Sequence, residues 1–115
     1  MGEARMDIEK SDINYLGYEQ AEAWGISWKI RGLCNDLSNH EKYEGYGVYG
    51  NLIDNDVHHL YYGTYHYGHL NGVFTGSKIH DNESYGLDPH HGSRGLTISN
   101  NEVYSNGNHG IIFSK

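Results

Sequence analysis

Between Tyr85 and His90 the chain reads Tyr-Gly-Leu-Asp-Pro-His, which brings a phenol, a carboxylate and an imidazole within six residues. Imidazole titrates near neutrality and can take or give a proton there, whereas a phenol must have its pKa lowered or act as a donor. Pro89, the one proline, stands between Asp88 and His90, where it is expected to interrupt strand hydrogen bonding and fix the backbone. Metal chemistry is the other option raised by the residue types, through His58, His59, His66, His69, His90 and His91. Adjacent histidines on a strand point to opposite faces, and no HxH or HExxH spacing occurs, so no dedicated metal site is expected. The lone Cys34 excludes an intrachain disulfide and a Cys-based zinc site.

An internal repeat positions these groups. An aromatic residue or His followed by Gly recurs at Tyr62-Gly63, Tyr85-Gly86 and His109-Gly110, at spacings of 23 and 24 residues. Ile79-His80-Asp81-Asn82 and Val103-Tyr104-Ser105-Asn106 lie 24 apart, and Val57-His58-His59 sits 22 before the first of them. Trp24-Gly25 is an earlier copy, 38 residues before Tyr62-Gly63, and the excess fits a polar insertion at about 32–47. This period, with strand-like alternation and Asn at bends, predicts an all-β fold: a right-handed parallel β-helix of four to five coils of about 23 residues. Residues 1–115 form one partial β-helix domain. Asn is expected to satisfy backbone groups at the bends, and the recurring Gly to relieve a positive φ or a close backbone approach.

Alternation after each Gly makes Ile26, Thr64, Leu87 and Ile111 inward and predicts two outward columns, Ser27–Tyr65–Asp88–Ile112 and Lys29–Tyr67–His90–Ser114. Trp24, Tyr62, Tyr85 and His109 form a third. Equivalent residues of adjacent coils lie about 4.8 Å apart, so the columns make a stiff patch of rings, imidazoles and one carboxylate. Rings cover sugar faces while polar groups bond hydroxyls, which suits an extended sugar chain. The same stacking serves ladder packing alone, an alternative for Trp24, Tyr62 and Tyr67.

Composition agrees with a repeat. Hydrophobic residues are 37% of the chain and mean hydropathy is −0.74, lean for a conventional core but ample for a narrow solenoid interior. With 13% aromatics, one proline and a net charge of −7, the chain does not read as disordered. Sixteen Gly, eleven Tyr and eleven Asn suit short strands and tight turns, not helical bundles. Neither a membrane span nor a signal peptide is legible. Residues 57–115 carry three basic and four acidic side chains and eight of the nine His, so two protonated imidazoles would turn that half positive. An anionic ligand there is compatible with the acidic total.

Tyr85-Gly86-Leu87-Asp88-Pro89-His90 on a parallel β-helix resembles the mannuronan C5-epimerases that act on alginate. SDINYLGYEQAEAWGISW at 11–28 and HGIIFSK at 109–115 resemble flanking coils of the periplasmic group of that family, which usually has Asp where this chain has His91. The resemblance implies inversion of C5 of β-D-mannuronate within the polymer, giving α-L-guluronate. It implies catalytic roles for Tyr85, Asp88 and His90, with Tyr85 and His90 as proton donor and acceptor in an order left open. Asp88 would orient His90 or share a proton with the substrate carboxylate, since a second carboxylate is a poor base beside a uronate.

Substrate-binding candidates are Lys29, Tyr65, Tyr67, His80, Arg94, His109 and Lys115, the cations being suited to neutralising the uronate. The implied partner is an anionic polysaccharide, not nucleic acid or a membrane, in a periplasmic or secreted setting. No cofactor is expected; calcium serves the secreted epimerases, but no Asp-rich calcium repeat is present. A uronate lyase, which begins with the same proton abstraction, and a noncatalytic glycan-binding β-helix are the competing readings. Ile111, Ile112 and Phe113 lack a polar or helical cover, so uncapped ends and self-association are expected.

Overall fold

The computed structural model describes residues 2–20, 23–30 and 46–114. The expected insertion at 32–47 falls outside them except for Tyr46 and Gly47, which open a strand; Cys34 and Lys115 also lie outside. All strand pairing among the described residues is parallel, and the chain winds through four coils with four faces. No helix among them is long and apolar enough to cross a membrane.

The first face holds β1 (Gly2–Arg5) and β5 (Tyr46–Tyr49), continued by the bridges Val48–His69 and Leu70–Arg94. The second stacks β2 (Ile8–Glu9), β6 (Leu52–Ile53), β9 (Val73–Thr75) and β12 (Thr97–Ser99). The third stacks β3 (Asp12–Asn14), β7 (Asp56–His58), β10 (Lys78–His80) and β13 (Glu102–Tyr104). The fourth stacks β4 (Gly25–Lys29), β8 (Tyr62–Tyr67) and β11 (Leu87–Pro89), with Ile111 bridged to Leu87.

Each third-face strand is an apolar residue between two polar ones, so only its middle side chain turns inward. The register stacks Ile13, Val57, Ile79 and Val103, while the second face stacks Ile8, Leu52, Phe74 and Ile98. With Leu87, Leu60 and Trp28 these columns fill the interior. Each fully buried apolar side chain contributes about 1.5–3 kcal/mol, and because every one is stacked on its counterpart in the next coil, few apolar residues suffice.

Asn at the bends acts mainly through its amide. Asn55 accepts from the Ser11 N–H and donates to the Ile8 carbonyl; Asn101 accepts from Ser77 N–H and donates to the Phe74 carbonyl; Asn82 accepts from Leu60 N–H, and Asn106 accepts from Asn82 N–H. Left-handed positions are filled largely by other residues. Lys10, Asp54 and Asn100 form one corner column with φ of 51–56°, and Tyr15, His59, Asp81 and Ser105 another with φ of 51–57°. Of the two reasons expected for the recurring Gly, close approach holds at Gly63 and Gly86: neither has positive φ, and an added Cβ would fall on the carbonyl oxygen of Gly86 or Gly110 one coil on.

Pro89 does not break β11. It is paired with His66 inside the strand, and its effect is one-sided. His90 N–H donates to His66 O on the coil-2 side, whereas the Leu87 and Pro89 backbone groups face coil 4, receiving the N–H groups of Ile112 and Ser114. The missing proline donor therefore faces coil 4, where pairing shrinks to the single Leu87–Ile111 bridge.

Candidate active site

The fourth face presents the three outward columns. Backbone bonds from Tyr62 N to Trp24 O, Gly63 N to Tyr85 O and Gly86 N to His109 O hold the first in line. Its rings follow one another at 5.1 Å for Trp24–Tyr62, 4.8 Å for Tyr62–Tyr85 and 5.6 Å for Tyr85–His109, the last pair lying 2° from parallel. Beside it the register sets Ser27, Tyr65 and Asp88 abreast. In the third column Lys29 pairs with Tyr67, whose ring lies 5.6 Å beneath the Lys29 ammonium and 5.8 Å from the His90 ring. Asp88 thus lies between the column of Tyr85 and that of His90.

The environments differ. The Tyr65 side chain, 7% exposed, packs edge-on against Trp24 at 4.7 Å. Burial, aided by the Asp88 charge, pushes its phenol up to about 12, so it stays protonated. Burial also lowers the His90 pKa, against a smaller opposing pull from Asp88, with His91 and Lys29 lowering it further. A neutral His90 imidazole is therefore favoured at neutral pH and can accept a proton. Its Nδ1 lies 2.6 Å from Nδ1 of His91. Asp88 is 2% exposed and accepts a 2.6 Å hydrogen bond from the Ser114 hydroxyl.

Beneath this face a second set of polar groups is fully internal. His69 Nε2 donates to the Gly50 carbonyl at 3.0 Å, His66 and His69 share a 2.9 Å Nδ1–Nδ1 bond, and the Thr64 hydroxyl meets His66 Nε2 at 2.8 Å. One consistent assignment follows: His66 donates to His69 and accepts from Thr64, with both rings neutral. Trp28 stacks on both imidazoles at 5.3 and 5.1 Å and donates its indole N–H to Met6 O. Burial lowers the pKa of both, that of His69 to about 4.

Tyr85, Asp88, His90, Lys29, Tyr65, Tyr67 and His109 are thus brought to one face. His80 is not: on the third face it bonds Asp56 at 2.7 Å and Asp81 at 2.6 Å, stacks on Tyr104, and has a raised pKa, burial being outweighed by those two carboxylates. Arg94 lies on the first face, bridged to Leu70. Adjacent histidines do not all diverge as alternation suggests. His59 has φ of 57°, which turns its ring back to an Nδ1–Nδ1 distance of 2.7 Å from His58. Asp12, Asp56 and His58 bring possible ligand atoms within 4.8 Å, as exposed or half-buried groups. Ser114 is the residue missing from the candidates, although the repeat already set it 24 residues after His90 in the same column.

The family model described as a right-handed β-helix region matches residues 26–115. The chain belongs to the right-handed β-helix family. This β-helix is also similar to mannuronan C5-epimerases: 42% identical over 111 residues to that of Pseudomonas fluorescens, 34% over 110 residues to that of Pseudomonas syringae pv. tomato, and 35% over 109 residues to mannuronan C5-epimerase AlgG of Azotobacter vinelandii. Each similarity covers 94% of this chain, which spans 20% of the length of each relative. No solved structure matches it significantly.

Proposed function

We propose that this β-helix acts on alginate as a mannuronan C5-epimerase domain, with the polymer lying along the fourth face in a periplasmic or secreted setting. What supports the reading is the juxtaposition of Tyr85, Asp88 and His90 in adjacent outward columns, together with the similarity to proteins named for that activity. Inversion at C5 needs the uronate carboxylate neutralised, the C5 proton removed and a proton returned to the opposite face. His90, favoured neutral, takes the C5 proton; Tyr85, in the column across Asp88, returns one. Nothing is oxidised and no bond of the polymer chain breaks. Lys29 and His109 flank the pair as positive or protonatable groups, and the Tyr62 and Trp24 rings extend the surface for sugar stacking.

Incubation with polymannuronate in deuterated water, followed by proton NMR, tests this. The expected result is growth of guluronate signals with deuterium at C5. Absorbance from an unsaturated uronate would select a lyase, which expels the C4 oxygen after the same proton abstraction. Polymer binding with neither product, unaffected by His90→Ala, would select a noncatalytic glycan-binding module.

A further inference from the structure

We infer that Ser114 is a positioning residue of this face, fixing the Asp88 carboxylate beside His90. The inference rests on the epimerase reading only for its consequence in turnover; the geometry stands by itself. Ser114 N–H donates to Pro89 O at 3.0 Å, which seats Ser114 next to His90 on the following coil, and its hydroxyl crosses back to Asp88 Oδ1 at 2.6 Å. That length suits a hydroxyl donating to a carboxylate oxygen. Asp88 is 2% exposed, with Tyr65 and Ile112 abreast of it in its own column, and the hydroxyl that bonds it comes from Ser114. Pro89 contributes by removing a donor on the coil-4 side: the Pro89 carbonyl is held by Ser114 N–H while the strand ladder lapses, leaving the Ser114 side chain to make the link.

The groups facing His90 are Asp88 from β11, Tyr65 and Tyr67 from β8, Lys29 from β4, and the adjacent His91. Only Asp88 favours the protonated imidazole electrostatically, while burial, His91 and Lys29 oppose it. The Ser114 hydroxyl offsets part of the Asp88 charge; without it the full charge acts on the imidazole, and His90 moves upward.

The test is an NMR titration of the His90 ring in the wild-type chain, Ser114→Ala and Ser114→Thr, with amide spectra confirming the fold. Ser114→Ala is expected to raise the midpoint by roughly half a pH unit, a threefold gain of proton affinity, and Ser114→Thr, which keeps the hydroxyl, to restore it. Superimposable Ala and wild-type titrations in folded protein overturn the inference; so does a shift that Thr and Ala share. Under turnover with polymannuronate, Ser114→Ala is expected to cut kcat about tenfold with KM little changed. Absence of epimerisation in the wild type, with the titration shift present, overturns the epimerase reading and leaves the Ser114–Asp88–His90 coupling supported.

Discussion

The third and fourth faces both stack aromatic rings, imidazoles and carboxylates, yet the pKa of His80 is raised and that of His90 lowered. On the third face His58 and His80 stack at 5.2 Å and each reaches an aspartate one coil below, His58 to Asp12 at 2.8 Å and His80 to Asp56 at 2.7 Å. On the fourth face the carboxylate next to the imidazole bonds a serine instead, and His90 is lowered by burial among rings. Stacking alone therefore does not make reactivity. His80, bonded by two carboxylates, has its protonated form favoured, whereas His90, facing rings with its carboxylate bonded elsewhere, has its neutral form favoured.

The sharpest way to break this contrast is to remove each imidazole in turn. His90→Ala and Tyr85→Phe are expected to lower epimerisation by about 10²–10⁴-fold, with His80→Ala close to wild type when guluronate formation is followed by NMR. Equal losses at His80 and His90 would erase the distinction between the faces. Next in size are the residues beneath them. Leu87→Ala and Ile79→Ala, both 0% exposed, are each expected to cost about 2–5 kcal/mol in chemical denaturation. Ile79→Ala should leave the His90 titration in place.

Acid separates the buried pair from the third face. His66 and His69 have folded pKa values below the unfolded 6.5, that of His69 about 4, so their neutral network is intact above 6.5 and its contribution is lost as the pH falls from there towards 4. His80 runs the other way. Its folded pKa is raised, so its contribution is complete below the unfolded value and disappears as pH rises through the folded one. Urea midpoints measured from pH 4 to 8 should show the first effect dominating and shrinking in His66→Gln, where His69 remains. The smallest effect expected is that of Asp56→Asn, under about 1 kcal/mol for a partly exposed pair. A larger cost would mean that the third-face pairs hold the coils together.

The fourth face was the most legible part of the molecule. The aromatic-Gly marks at Tyr62, Tyr85 and His109 set the phase, and alternation from them gives the register in which Asp88 meets Tyr65 and Tyr67 meets Lys29. The first coil was less so. β1, β2 and β3 lie on an exposed coil with half-buried Ile8 and Ile13 as their inward residues, and carry no aromatic-Gly mark. His69 is not legible as a structural residue in sequence because one of its partners is the carbonyl of Gly50, 19 residues away, and a backbone acceptor has no residue signature. His80 is ten residues from His90 in sequence, but the chain turns a corner between them. Ile111 is 44% and Phe113 72% exposed, and light scattering on Phe113→Ser would test the self-association expected from the sequence.

The ladder Trp24–Tyr62–Tyr85–His109 has a further consequence that is one of symmetry. Seen by a linear ligand, rings recur once per coil, about every 4.8 Å, with Tyr62 and Tyr85 tilted 60° to one another, so stacking alone gives a set of competing positions among which a chain can slip. Asp88 and His90 occur on one coil only, where the coils on either side carry Tyr65 with Tyr67 and Ile112 with Ser114. They are the defect in an otherwise periodic lattice, and a defect is what converts a sliding surface into one with a defined origin.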